Sequence, residues 1–171
     1  MMDQANRPGY AKDWELSEMS LSLDLALYGD EHVRQYQKTD GAVGHSWNNL
    51  PCLILTTTRR TTGEPRDTAL MYGRDGDDYV VLGSKGGHPE HPFWYRDLVA
   101  EPNVRVQVGA EVFPAVAQTA TAEERPHLWG VLYAIWPDYD SYIERAKPRE
   151  IPLIRLVRTD VRAAREPADQ A

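Results

Sequence analysis

The apolar positions near the N-terminus follow a helical period. Between Trp14 and Tyr28 they recur every three or four residues, at Leu16, Met19, Leu23 and Leu27, which predicts an amphipathic helix. The stretch from Asp13 to Glu31 carries six acids and no base, unlike the cationic polar face of a helix that lies on a membrane. We expect this helix to dock on the domain or cap a pocket. A second short helix is predicted over His32–Lys38.

From Cys52 onward the pattern changes to short apolar and β-branched runs. Residues 52–58 predict a first strand, residues 66–72 a second and residues 79–82 a third. The pair Asp75-Gly76 between the last two runs is a strong hairpin signal. We therefore expect three consecutive antiparallel strands.

The second half of the chain mixes helices with strands. The patterns predict a helix over 91–100, a hairpin of strands 104–108 and 111–118, helices over 121–136 and 138–146, and a last strand over 151–157. Thr121 and Glu124 have the spacing of a capping box. A parallel doubly wound sheet would alternate one strand with one helix, so this order favours an α+β, mainly β fold. We expect a small antiparallel barrel of about six strands with helical insertions and an N-terminal helix.

Length and charge narrow the class of protein. The 171 residues suit a single domain, with a helical extension over 1–50, a core over 51–158 and a mobile tail over 159–171. One cysteine, Cys52, allows no internal disulfide and no multi-cysteine metal site, and the scattered histidines lead us to expect no metal. The chain has no run of about eighteen apolar residues, so no membrane span is predicted. Residues Met1–Tyr10 show no signal-peptide pattern, and we therefore expect a cytoplasmic protein. The net charge of -7 argues against a nucleic-acid binder.

An anionic ligand would therefore need a local basic segment. Residues 58–66 supply one, with three arginines, three threonines and a glycine against one acid. Guanidinium groups and exposed backbone N–H groups suit a phosphate or carboxylate. The alternative is a solvated hairpin tip whose arginines pair with surface acids such as Asp67.

Glycine and aromatic residues mark the other candidate positions. A strand runs directly into Gly83-Ser84-Lys85-Gly86-Gly87, where the backbone can approach a ligand, although an ordinary loop would have the same composition. Phe93, Trp94 and Tyr95 lie at the start of the next helix and could form the wall of a flat pocket, although core packing is the alternative. The stripe Trp129, Tyr133, Trp136, Tyr139 and Tyr142 crosses the helix break at Pro137, which favours a cavity lining over a simple helix core.

These motifs together resemble one family, the deazaflavin-dependent nitroreductases, which bind coenzyme F420 on a split β-barrel related to FMN-binding proteins. The similarity covers residues 51–157 in unbroken order. It rests on residues 53–72, 84–87, Pro92-x-Trp94-Tyr95, 98–104, Trp136-Pro137-x-Tyr139-x-x-Tyr142 and Ile151-Pro152.

The resemblance implies a set of site residues. It places the cofactor's phosphate and oligoglutamate tail on Arg59, Arg60, Thr61, Thr62 and Arg66. It places the ring and ribityl group on Thr68, Leu70, Tyr72, Gly83, Ser84, Lys85, Trp94 and Tyr95, with Tyr139 on the cofactor side. Substrate contacts would fall on Ser84, Trp136 and Tyr142.

Three positions depart from the family pattern. Arg59-Arg60-Thr61 stands where the family has Gly-Arg-Lys, so a lysine is missing. Asp97 replaces an asparagine, and an acid there would weaken the binding of an anionic cofactor. Trp136 replaces a tyrosine, which removes one phenolic proton source.

The resemblance implies an F420-dependent reductase. Such an enzyme passes a hydride from the reduced deazaflavin to an electron-poor conjugated acceptor, for example a quinone, enone, unsaturated lactone or nitroaromatic. Ser84 would stabilise the oxygen that gains charge, and Tyr139 or Tyr142 would donate the proton. Two alternatives remain at this point, an FMN-dependent reductase on the same barrel and a non-catalytic carrier of deazaflavin or lipid. The oligomeric state is open.

Overall fold

The structure, a computed structural model, describes residues 29–47 and 49–160. Its helices are α1 (Gly29–Lys38), α2 (Phe93–Ala100), α3 (Arg125–Ile135) and α4 (Tyr139–Ala146), with a 3-10 turn at Lys85–Gly87. Its strands are β1 (Ser46–Trp47), β2 (Leu50–Thr58), β3 (Pro65–Met71), β4 (Gly73–Asp75), β5 (Asp78–Leu82), β6 (Asn103–Val108), β7 (Glu111–Thr119) and β8 (Leu153–Arg158). The predicted helix over 14–28 and the tail after residue 160 lie outside the described residues. None of the described helices is long and apolar enough to cross a bilayer.

The strands form one curled antiparallel sheet. Its order is β1-β2-β6-β7-β8-β5-β4, and β3 pairs with β2 beside this path. Residues 52–58 of β2 pair with residues 71–65 of β3, whereas only residues 54–56 pair with β6. This half-barrel with helices confirms the predicted α+β, mainly β split-barrel fold.

Both faces of β2 are buried, which explains its continuous apolar run. Leu53 and Leu55 point into an inner cluster that also holds Trp94 and Leu98 of α2. Cys52 and Ile54, on the opposite face, pack against α1. Because successive residues of a strand point to opposite faces, a strand covered on both sides has no polar alternation.

The helices α3 and α4 cover the outer face further along the sheet. An outer cluster unites β5, β8 and both helices through Leu82, Leu153, Leu128, Leu132 and Tyr139. The predicted capping box is formed: the Thr121 N–H donates to Glu124 Oε2 over 2.9 Å, and the Glu124 N–H donates to Thr121 Oγ1 over 3.3 Å. The regular helix begins one residue later, at Arg125.

The three-strand succession predicted for residues 52–82 is wrong in its second pairing. β3 pairs with β2, but the Asp75-Gly76 hairpin joins β5 to the short strand β4, in which Gly73 pairs with Val80. The chain leaves β3 at Tyr72, and Gly73 packs so closely on α3 that a Cβ there would lie 2.8 Å from Val131 Cγ1. This close approach ends β3 and opens the sheet between β3 and β5. The short strands β1 and β4 raise the predicted number of about six strands to eight.

Tyr36 joins α1 to two segments of the sheet. Its buried hydroxyl accepts the Gly109 N–H over 2.7 Å and donates to the Cys52 carbonyl oxygen over 3.0 Å. Its ring packs in the same cluster as Ile54 and Val33. One phenol therefore ties the first described helix to β2 and to the β6–β7 turn.

We expect Tyr36→Phe to lower the free energy of unfolding by about 1–3 kcal/mol, because the Gly109 N–H loses its buried acceptor. Urea unfolding measures this, and Tyr133→Phe, at an exposed tyrosine of α3, is the matched control. An unchanged midpoint for Tyr36→Phe would show that water replaces the phenol at Gly109.

The same residue gives a pH dependence. Burial raises the pKa of Tyr36 from 10.0 to about 12. The unfolded state therefore loses this proton first, so the stability that Tyr36 contributes is present below pH 10 and is lost as the pH rises towards 12. The stability difference between wild type and Tyr36→Phe should shrink across that interval.

Candidate active site

The open edge of β3 borders the candidate site. One edge of β3 is paired with β2, and two adjoining cavities of about 430 Å³ and 410 Å³ lie along the strand. They share a wall of five residues, which are Arg66, Thr68, Leu70, Leu82 and Ser84. The shared wall makes them two parts of one cleft, set where the sheet opens between β3 and β5.

The first cavity extends under α1 and towards α4. Beyond the shared wall, its lining includes His32, Val33, Trp47, Cys52, Arg59, Asp67, Met71 and Tyr139. The lining also includes Asp30 of α1, so the charged residues of this cavity are two acids, Asp30 and Asp67, and two arginines, Arg59 and Arg66. The cavity therefore combines apolar side chains with charges of both signs.

The second cavity lies between the Gly83–His88 loop and the start of α2. Lys85, Gly86, Pro92, Phe93 and Trp94 complete its lining. The ring of Phe93 is 56 % exposed. Three cationic groups approach this ring: the guanidinium carbons of Arg66 and Arg96 at 5.4 and 5.9 Å from its centroid, and Lys85 Nζ at 5.5 Å. The mouth of this cavity is therefore an aromatic surface surrounded by positive charge.

Arg66 is oriented by a buried acid. Its Nε donates to Asp97 Oδ2 over 2.7 Å, and the Asp97 side chain is 3 % exposed against 24 % for Arg66. The other carboxylate oxygen, Oδ1, accepts the Arg60 N–H over 3.2 Å. Asp97 thus pairs with a cation and holds the basic turn in place, which explains how an acid is accommodated beside an anion-binding segment.

Tyr139 is the first residue of α4 and lines the first cavity. Burial raises the pKa of its hydroxyl well above the ordinary value of 10.0, and the Cys52 thiol adds a smaller effect in the same direction. The phenol therefore keeps its proton throughout the neutral range. Such a group can donate a hydrogen bond or a proton to a ligand oxygen.

The structure brings part of the sequence-predicted set together. Eight of the predicted residues line the cleft, namely Arg59, Arg66, Thr68, Leu70, Ser84, Lys85, Trp94 and Tyr139. Within the described residues, the other predicted positions are not among the lining of the two cavities. These are Arg60, Thr61, Thr62, Tyr72, Gly83, Tyr95, Trp136 and Tyr142.

The residues outside the lining have distinct surroundings. Arg60, Thr61 and Thr62 form an exposed turn. Tyr72 is buried against Tyr79 in the inner cluster, and the Tyr95 hydroxyl hydrogen-bonds with Thr119. Of the aromatic stripe, only Tyr139 is in the described lining of a cavity, and it lines the first one.

Trp136 and Tyr142 lie behind Tyr139. Their ring centroids are 6.4 and 6.0 Å from that of Tyr139, and both side chains are buried in the outer cluster. The aromatic stripe therefore supports the cavity wall more than it forms it.

Sequence reasoning missed several lining residues. Phe93 was not among the selected site residues, yet both Phe93 and Trp94 line the second cavity. Met71 gave no signal, because an isolated apolar residue at a strand end has no pattern. The alternative pairing proposed for the arginines is wrong in its partner: Arg66 pairs with Asp97, while Asp67 accepts the Thr56 hydroxyl over 2.5 Å.

Comparisons with known proteins identify similar chains. The chain is 37% identical over 131 residues to an F420H(2)-dependent quinone reductase of Mycobacterium tuberculosis (strain H37Rv), covering 74% of this chain and 87% of that protein. A solved F420-H2 dependent reductase superposes with a TM-score of 0.57 and 36% identity, over 62% of this chain and 93% of the other. A second solved structure, described as a domain-swapped dimer, gives a TM-score of 0.61 and 33% identity, over 74% and 92% of the two chains.

The family model that matches is described as F420H(2)-dependent quinone reductase, and it matches residues 29–158. The resemblance to deazaflavin-dependent reductases is confirmed in cofactor and fold, but the family that matches is named for quinones and not for nitro compounds. The chain belongs to the F420H(2)-dependent quinone reductase family, and it is an F420-dependent oxidoreductase.

Proposed function

We propose that this protein reduces a quinone by two electrons at the cleft along β3, with reduced F420 as the hydride source. The observation that carries the proposal is the composition of one continuous cleft. It holds three cations, Arg59, Arg66 and Lys85, and three hydroxyl groups, on Thr68, Ser84 and Tyr139, together with apolar side chains and the acids Asp30 and Asp67.

The residues present fit the cofactor. F420 joins a flat deazaflavin ring to a phosphate and an oligoglutamate tail, so it needs an apolar slot next to positive charge. Leu70, Leu82 and Trp94 supply apolar surface, and Arg66 and Lys85 stand at the same wall. The charge of Asp97 is compensated by Arg66 and by a backbone N–H. The missing family lysine at Thr61 leaves Arg59 as the cation of this turn that lines the cleft.

Reduced F420 supplies a hydride when it is bound, and the protein supplies binding, orientation and a proton. The apolar lining excludes water, which strengthens each polar contact in the cleft. A quinone that gains a hydride develops negative charge on one carbonyl oxygen, and the Ser84 hydroxyl, which lines both cavities, would stabilise that oxygen. One proton from Tyr139 then completes the hydroquinone, and solvent returns the proton to the phenol.

Among the acceptor classes, a quinone is favoured for two reasons. The matching family is named for quinone reduction. A quinone also needs one hydride and one proton, and the Tyr139 phenol, which lines the first cavity, is a candidate donor of that proton. Enones and unsaturated lactones share this balance, whereas full reduction of a nitroaromatic needs several hydrides.

The test is oxidation of reduced F420, followed by its absorbance, with a naphthoquinone, a nitroaromatic and an enone as separate acceptors. We expect turnover with the quinone at the highest kcat/KM. The same assay with reduced FMN tests the alternative cofactor, and tryptophan quenching without any turnover would indicate a carrier. Turnover of the nitroaromatic alone would contradict the quinone assignment.

A further inference from the structure

Arg149 makes an unusual set of contacts for a residue outside the cleft. It lies in the connection between α4 and β8. Its Nε donates to the His88 carbonyl oxygen over 2.9 Å, Nη1 to the Gly83 carbonyl over 3.0 Å, and Nη2 to the Ser84 and His88 carbonyls over 2.8 and 2.7 Å. Each guanidinium nitrogen is therefore bonded to the loop that carries Ser84 and Lys85.

A histidine completes this arrangement. Arg149 Nη1 lies 3.1 Å from His91 Nδ1. Burial, followed by the charges of Arg149 and Arg96, lowers the pKa of His91, so its neutral ring can accept the N–H. Arg149 thereby links the loop to His91, two residues before α2, the helix that carries Phe93 and Trp94. Both sides of the second cavity are attached to one side chain.

The loop needs such an attachment. Lys85, Gly86 and Gly87 all have positive φ, at 47, 62 and 83°. This region is unfavourable for Lys85, which carries a Cβ, so surrounding contacts must maintain it. The loop's own hydrogen bonds are the two from the Gly87 and His88 N–H groups to the Ser84 and Lys85 carbonyls, of 2.9 and 3.1 Å.

Neighbouring elements fix the two ends of the loop. The Gly83 N–H donates to the Pro152 carbonyl oxygen over 2.9 Å. A Cβ on Gly87 would lie 2.7 Å from Arg145 Cβ, which shows how closely the loop meets α4. Between these ends, Arg149 Nη2 donates hydrogen bonds to the carbonyl oxygens of Ser84 and His88.

We propose that Arg149 is a positioning residue of the active site, which holds the Ser84–Lys85 backbone in the conformation that forms the cleft. It does so through three loop carbonyls and His91, and it is not among the described lining residues of either cavity. The proposal rests on the proposed function in so far as Ser84 and Lys85 contact the ligands there.

Arg149→Lys tests the proposal, because one ammonium group keeps the charge but cannot reach carbonyls on both sides of the loop as a planar fork does. We expect kcat/KM for reduced F420 to fall about tenfold to a hundredfold, the range typical of residues that orient a site from behind. Arg149→Ala should also lower kcat/KM, and added methylguanidinium should restore part of the kcat/KM of that variant. Arg125→Lys is the matched control, since Arg125 donates to the Ile151 carbonyl over 2.8 Å in the same connection.

A second measurement needs no cofactor. Hydrogen exchange at the Gly87 and His88 amides should be much faster in Arg149→Lys than in wild type, while exchange in β2 and β8 stays unchanged. This separates the two proposals: a wild type that does not use F420 contradicts the proposed function, whereas the exchange result still decides the role of Arg149.

The proposal is overturned if Arg149→Lys matches Arg125→Lys in kcat/KM and in loop exchange. It is also overturned if Arg149→Lys and Arg149→Gln both fail to fold, because the residue would then serve the whole domain and not the loop.

Discussion

Replacing Arg66 with methionine should raise the KM for reduced F420 by about tenfold to a hundredfold, because a charge-assisted hydrogen bond contributes about 1.5–3 kcal/mol. Arg66 lies on the wall that both cavities share. The same change leaves the Asp97 carboxylate buried without its cation, so we expect the free energy of unfolding to fall by about 3 kcal/mol. Steady-state kinetics and urea unfolding measure the two effects.

A double variant separates these two effects. Arg66→Met with Asp97→Asn removes both charges and keeps an acceptor for the Arg60 N–H. Stability should then return close to that of wild type, while the KM stays high. Recovery of the KM in the double variant would show that Arg66 serves only as the partner of Asp97. Arg105→Met, at an exposed arginine of β6, controls for the loss of one positive charge.

Tyr139→Phe should lower kcat for quinone reduction by about a hundredfold or more, since a positioned general acid contributes about 10²–10⁴ in rate. The KM for reduced F420 should change little, because phenylalanine retains the ring packing against Trp136 and Tyr142. The raised pKa of Tyr139 keeps the phenol protonated, so wild-type kcat should show no decline attributable to Tyr139 across the neutral range.

Tyr142→Phe distinguishes between the two phenols considered as proton donors. A loss of kcat confined to Tyr139→Phe assigns the proton to Tyr139, and a loss confined to Tyr142→Phe contradicts that assignment. Tyr133→Phe, on the exposed side of α3, shows what a phenol-to-phenyl change does by itself.

The pattern of apolar residues predicted most of the secondary structure because strands and helices here have strong local signals. Residues 52–58, buried on both faces, and the capping box at Thr121 and Glu124 are examples. The change of partner at Tyr72–Gly73 could not be predicted, since it depends on α3 approaching from sixty residues away. Local residue patterns do not predict a contact between segments so far apart along the chain.

The site could be predicted where its charged and polar residues lie close together in the sequence. Arg59 and Arg66 belong to a basic segment, and Ser84 and Lys85 to a glycine-rich loop, so their residue types indicated an anion site. Arg149 had no such context, because its role depends on carbonyl groups that any sequence possesses.

The shared wall of the cleft also limits how this protein can diverge. Arg66, Thr68, Leu70, Leu82 and Ser84 border both cavities, so a substitution at any of them alters the shape of both cavities at once. Residues that border a single cavity, such as Val33 on one side and Phe93 on the other, carry no such double constraint. Natural variation in acceptor preference should therefore accumulate at these outer positions, while the wall itself changes slowly.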